Sequence, residues 1–162
     1  MRRLILMRHA KSSWDNLILS DIERPLNARG RASAQALGDW LRAKGLSPDA
    51  AFVSNATRTA ETWDRLGIAA PMTLRAELYH AGPETLLATL QEATGQTVLI
   101  LGHNPGIAEF ANRIVGTRPD HARFWDYPTG ATLVADVPGD WADLTPGTAI
   151  ARDFVVPRDL IG

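Results

Sequence analysis

The chain contains no cysteine, which removes disulfides, thiolate metal sites and cysteine nucleophiles. No apolar run approaches the ~18 to 20 residues of a membrane-spanning helix; the longest are strand-sized pieces such as "LILM" and "TVLILG". Net charge is almost absent. Lys plus Arg total 17 against 18 for Asp plus Glu, giving -1, so there is no bulk attraction to nucleic acid or to an anionic membrane. Any anion site must be local. A glycine-rich phosphate loop, an internal repeat, a low-complexity tract and a linker are also lacking.

What is present is ordinary globular material. The 162 residues are 45% hydrophobic and 22% charged, which excludes a fibrous or wholly disordered chain. At roughly 100 to 200 residues per domain, the expectation is one domain over residues 1–162. The opening "MRRLILMRH" has the charged start of a signal peptide, but its apolar part ends at Met7 and is cut off by Arg8 and His9, so it reads as a first strand. A soluble protein with the cytoplasm as default location is expected.

Short β-rich runs alternate with helical stretches, the pattern of an α/β domain with a largely parallel sheet. Leu4 to Met7 opens it. Ala36, Leu37, Trp40 and Leu41 recur at helical spacing between Asn27, an N-cap, and Gly45, a stop. A strand at 51–53 runs into a helix capped by Ser54 or Asn55 and ending near Gly67, followed by a strand at 72–74. Pro83 starts a helix that ends at Gly95 before the strand 97–101. Ile107 to Val115 reads as another helix, with Asn104 as cap and Pro105 first. Residues 116–130 look like a long surface loop that could cover a site. "ATLVADV" and "TAIARDFVV" read as an antiparallel pair.

In open α/β sheets ligands bind beyond the carboxyl ends of the strands. Three strands there run into Arg8-His9-Ala10-Lys11-Ser12, Ser54-Asn55-Ala56-Thr57-Arg58 and Gly102-His103-Asn104-Pro105-Gly106. Two arginines and two histidines converging would form a pocket for a dianion, since guanidinium forks match phosphate oxygens. The helix starts at Arg58 and after His103 would add free N–H groups. Without cysteine, a histidine is the candidate to attack phosphorus. It must be unprotonated, flanking arginines favour that form, and its second nitrogen needs a fixed acceptor. Position favours His9, at the end of the first central strand, without settling the choice.

"LMRHAKSSW", "SNATRTAET" and "GHNPG", in that order, resemble the histidine phosphatase (phosphoglycerate mutase-like, RHG) superfamily. Ala10 in place of the usual motif glycine, "RPLNARG" at 24–30, "ELYHAG" at 77–82, the tail "FVVPRDL" and the short length resemble its SixA-type phosphohistidine phosphatase branch. The resemblance spans essentially the whole chain. It implies a three-layer α/β/α sandwich, with a mostly parallel sheet and antiparallel strands near the C-terminus. It further implies that His9 is transiently phosphorylated while Arg8, Arg58 and His103 hold the phosphoryl oxygens. No metal or cofactor is implied. Ser12 matches the serine of the family's first motif and Trp14 the aromatic two residues on; Asp15 departs from the asparagine of mutase-like members. Glu77 falls at about the place of the glutamate that protonates the leaving oxygen in those members, and is expected near the pocket as acid or substrate-orienting group. Substrate and acid are coupled, because an imidazole leaves a phosphoramidate readily whereas an alkoxide must be protonated.

Each residue has a plainer reading. Arg58 could pair with Glu61 or Glu77 as a surface ion, and His103 could serve only the turn before its helix. His80 and His121 lack metal-ligand spacing; His80 is placed near the pocket rim. Trp40, Leu41 and Trp63 have core spacing, while Trp125 and Tyr127 either line the entrance or pack on the sheet. The leading expectation is a phosphatase acting on a histidine-phosphorylated protein, such as a phosphotransfer domain or phosphocarrier. The alternatives are a phosphomonoesterase for a small phosphorylated metabolite, and a non-catalytic phosphohistidine-binding module.

Overall fold

A computed structural model describes residues 1–162. Its centre is the strand β1 (Arg2–Arg8), whose apolar residues alternate between two faces as a strand's period of two requires. Leu4 and Leu6 enter one core cluster, Ile5 and Met7 the other, and all four are fully buried. Each such side chain contributes about 1.5–3 kcal/mol by leaving water.

The remaining strands are β2 (Ala50–Ser54), β3 (Met72–Arg75), β4 (Thr97–Gly102), β5 (Thr132–Val137) and β6 (Ile150–Val155). They form one sheet in the order β3-β2-β4-β1-β5-β6. The first four are mutually parallel, while β5 is antiparallel to both β1 and β6. Helices cover both faces, as expected of a three-layer sandwich. On one face α1 (Ala28–Ala43) and α2 (Thr57–Leu66) set Leu37, Leu41, Trp63 and Leu66 against Ile5, Met7, Leu99 and Leu101. On the other, α3 (Pro83–Gln91) and α4 (Gly106–Ile114) set Leu86, Leu90, Ile107 and Phe110 against Leu4, Leu6 and Ile100. A short α5 (Pro157–Ile161) follows β6, with Leu160 packed on the first of these clusters. No helix is long and apolar enough to cross a membrane.

The helix boundaries needed correction where polar side chains have other work. The cap of α2 is Ala56, not Ser54 or Asn55, because the Ser54 hydroxyl meets His103. At α4, Pro105 is the cap and Gly106 the first residue. Asn104, one position earlier, still accepts from the Ala108 N–H at 3.1 Å and donates to the carbonyls of Asp126 and Tyr127. α3 stops at Gln91, short of Gly95. The segment 116–130 is irregular as expected, yet it contributes to the core: Phe124 and Tyr127 are buried, and the Tyr127 hydroxyl donates to the Leu6 carbonyl at 2.5 Å.

Candidate active site

The carboxyl ends of β1, β2 and β4 meet above the sheet. His9 leaves β1 with its N–H on the Gly102 carbonyl and its own carbonyl accepting from Gly130 N–H, so the end of β4 and the turn before β5 fix its backbone. The next residues are pinned by α1 and α2. Ala10 N–H donates to Thr62 Oγ1, and Thr62 in turn donates to the Arg58 carbonyl. The Lys11 carbonyl accepts from Asn27 N–H, and α1 approaches so closely that a Cβ on Gly30 would lie 2.0 Å from that oxygen. Only glycine fits there.

The pocket so formed has a volume of about 260 Å³. Arg8, His9, Ser12, Arg58 and His103 all line it, which brings together five of the six residues expected at the site. The imidazole rings of His9 and His103 are 5.2 Å apart between centroids. His9 Nδ1 lies 2.7 Å from the Ala10 carbonyl oxygen. A carbonyl can only accept, so Nδ1 carries the hydrogen and Nε2 is left with a lone pair. Burial, reinforced by the charges of His103, Arg8 and Arg58, holds the His9 pKa down to about 3. His103 is also held down to about 3, by burial and then by Arg58. Both are neutral at physiological pH.

Only two buried side-chain polar atoms in the chain lack a hydrogen-bond partner, Arg8 Nε and His103 Nδ1. Both belong to pocket residues. Leaving such groups unmatched costs about 1–3 kcal/mol each, a cost tolerated where a ligand supplies the partner. Arg8 donates through Nη1 to the Tyr127 carbonyl at 3.2 Å, and His103 Nε2 is 2.8 Å from Ser54 Oγ. No group of three or more His, Asp or Glu side chains is assembled that could hold a metal ion.

Arg58 pairs with neither Glu61 nor Glu77. Its two terminal nitrogens donate to the carbonyl and carboxylate of Asp21, at 2.7 and 3.0 Å, while Glu61 accepts from Leu26 N–H. Asp21 is a hub that sequence reasoning missed. It also accepts from Arg24 at 2.9 Å and from the Tyr79 hydroxyl. The Tyr79 hydrogen bond first, then Arg58 and Arg24, drive its pKa far below the usual carboxylate range, so it is a fixed anion. Ser20 and Glu23 cap the 3-10 turn Asp21–Glu23 that presents it; the S-x-x-E pattern of 20–23 was the available signal.

Arg24 is a second missed residue. It lines the pocket, donates to the Ser12 hydroxyl and the Ser13 carbonyl, and lies 3.3 Å over the Trp14 ring. Lys11, Asn104 and Thr129 complete the polar wall.

Glu77 is the expectation that the geometry does not place in the pocket. It follows β3 at the sheet edge, is exposed, and accepts from Arg75 Nε at 2.5 Å. That contact lowers its pKa, and it is absent from the pocket wall. His80, one turn on, lines an adjoining cavity with Tyr79 and His103, close to the rim where it was expected. His121 bonds Asp159 instead. Of the two uncertain aromatics, Tyr127 is core and Trp125 is exposed outside the pocket.

Comparison with known proteins agrees with this geometry. The family model of the histidine phosphatase superfamily (branch 1) matches residues 4–80, the stretch from β1 to His80. The structure of the proposed phosphohistidine phosphatase SixA from Nakamurella multipartitia superposes with a TM-score of 0.87 at 31% identity, covering 96% of each chain. The chain belongs to the histidine phosphatase superfamily. Within it the SixA-type branch fits best: a further proposed SixA, from Agrobacterium tumefaciens, gives a TM-score of 0.82 at 28% identity, covering 96% of this chain and 98% of that one. The uncharacterized Mycobacterium tuberculosis protein Rv1276c is 36% identical over 159 residues, covering 94% of this chain and all of its own. Family and fold together support phosphatase activity for this SixA-type histidine phosphatase.

Proposed function

We propose that the protein hydrolyses phosphohistidine on a protein substrate through a phosphorylated His9. In the first step His9 Nε2 attacks phosphorus, the substrate's P–N bond breaks, and its electron pair stays on the departing imidazole, which takes a proton from water. In the second, water attacks phosphorus, the bond to Nε2 breaks with its electron pair returning to the ring, and the water's proton passes to solvent. Inorganic phosphate and the unmodified histidine side chain of the substrate protein result. Arg8 and Arg58 supply forked donors to the phosphoryl oxygens. His103 lies in the same pocket with Nε2 on Ser54 Oγ and Nδ1 unpartnered; in the tautomer that carries its hydrogen on Nδ1 it is a third donor to the phosphoryl group.

One observation carries the choice of substrate: no carboxylic acid lines the pocket. Glu77 is turned to Arg75, and Asp21 is held as an anion by its three partners. An alkyl phosphate needs its leaving oxygen protonated, and this wall offers no obvious acid; an imidazole leaves without such help.

The experiment is hydrolysis, side by side, of a histidine-phosphorylated protein domain and a simple aryl phosphate, with His9→Ala as control. Preference for the phosphoprotein, abolished in His9→Ala, is the expected result. Turnover of the ester alone would make the protein a metabolite phosphatase. Undiminished binding of the phosphoprotein to His9→Ala, without turnover by the wild type, would make it a reader of phosphohistidine.

A further inference from the structure

Beside the phosphate pocket lies a second cavity of about 300 Å³, sharing Lys11 and Thr129 with it. Its wall carries Arg29 and Ser33 from α1, Arg123 from the irregular segment and Arg158 from α5, and it contains no acidic residue. Of the 17 lysines and arginines, only Arg8, Lys11, Arg29, Arg31, Arg118 and Arg158 have no carboxylate within salt-bridge distance. Four of these six line one of the two adjoining cavities. Arg123 is the neutralised member, chelating Asp126. In a chain of net charge -1, unpaired positive charge is therefore gathered at one edge of the sheet, where it attracts anions beyond the phosphate itself.

We propose that this cavity receives carboxylate side chains of the phosphorylated protein substrate, beside the phosphohistidine that enters the phosphate pocket. The inference rests on the functional reading above and adds to it the charge of the partner's docking surface. Two observations favour a protein over a small bisphosphate. Trp14 is the only apolar residue of the phosphate pocket, so the organic body of a metabolite would find little of the apolar wall that small-ligand sites use. On the loop that carries Ser12 and Trp14 and on the irregular segment, by contrast, large apolar side chains stand in solvent. Trp14 is 69% exposed, Leu17 and Ile18 of the same loop 89% and 94%, and Trp125, next to the Asp126 carbonyl that holds Asn104, 70%. Aromatic and aliphatic groups with arginines at the margin are what a protein partner covers and a small anion leaves bare.

The test compares wild type with Arg29→Glu/Arg158→Glu and Arg29→Gln/Arg158→Gln double variants. The substrates are free phosphohistidine, a small organic bisphosphate and a histidine-phosphorylated domain with carboxylates flanking the modified residue. Neither arginine lines the phosphate pocket. The expected result is a roughly tenfold higher KM for the protein substrate in the glutamate pair, a smaller rise in the glutamine pair, unchanged kcat, and unchanged hydrolysis of free phosphohistidine. Wild-type KM for the protein should also climb with NaCl, and the double variants should lose most of that dependence. Phosphoprotein turnover with unaltered KM in both variants overturns the docking inference and leaves the functional reading standing. An equal rise in KM for free phosphohistidine overturns it too, by assigning the arginines to the phosphate. Loss confined to a small bisphosphate replaces it with a second phosphate subsite. Failure of the wild type to hydrolyse any phosphoprotein removes the functional reading and this inference together.

Discussion

β1, β2 and β4 lie inside the sheet and β3 at its edge, and the residues that follow them are held in different ways. At the ends of the inner strands, Ser54 as the last residue of β2 and His9 and His103 just after β1 and β4 are buried, and each ring or hydroxyl has a fixed partner on a neighbouring element or on adjacent backbone. After the edge strand, Glu77 stands in water with only Arg75 to hold it. Paired strands on both sides fix a backbone well enough to orient an imidazole; an edge strand leaves the following turn free to face outward. The contrast separates the proposed chemistry, placed on the inner strands, from a residue that shares only its sequence neighbourhood.

The comparison is tested most severely at His9. His9→Ala should lose roughly 10⁴-fold or more in turnover, because no neighbouring group can replace the nucleophile. Circular dichroism should stay native, and retained turnover would place the attacking nitrogen elsewhere. The second effect concerns stability. His9 titrates near 6.5 when unfolded and at about 3 when folded, so the unfolded chain binds the extra proton between those values. The stability associated with its neutral form is fully present above pH 6.5 and is lost as pH falls toward 3. In urea titrations between pH 6 and 4, wild type should therefore lose up to about 1.4 kcal/mol per pH unit more than His9→Asn. Parallel curves would mean that the ring is protonated in the folded protein.

Asp21 comes next in size. Asp21→Asn removes the charge that orients Arg58 and Arg24, and a guanidinium displaced by about 1 Å costs roughly tenfold to a hundredfold in kcat/KM. Its side chain is about half exposed, so stability should change by no more than about 1 kcal/mol. An enzyme with full activity and lower stability would assign Asp21 a purely structural role.

The alternation of strands and helices was legible because apolar periodicity is local, and so were the three polar strand ends that build the pocket. Strand position favoured His9 over His103, and the resemblance settled that choice. What was not legible depends on contacts across the chain. Asp21 lies 37 residues from Arg58 and 58 from Tyr79, and no local pattern announces that the three meet. Arg24 could be seen in "RPLNARG" but not its place in the pocket, which follows from the pairing of Ser12 with Leu26. Tyr127 could not be separated from Trp125 by composition, since two positions within one irregular segment divide between core and solvent. Glu77 was placed by analogy with the glutamate that follows the third strand in mutase-like members, and such an analogy says nothing about the direction in which a side chain turns.

The smallest expected effect is at that residue. Glu77→Gln keeps the length and the hydrogen-bonding oxygen while removing the charge that Arg75 holds, and an exposed pair of this kind contributes about 0–1 kcal/mol. Hydrolysis of a phosphohistidine protein should change by less than about twofold, because the leaving imidazole needs no acid from β3. The informative arm is the aryl or alkyl ester. A selective drop in ester turnover in Glu77→Gln, with phosphohistidine turnover preserved, would show that Glu77 swings from Arg75 into the pocket when a poor leaving group is bound. Equal and small changes on both substrates would keep the proposed chemistry on the inner strands and leave the edge strand outside it.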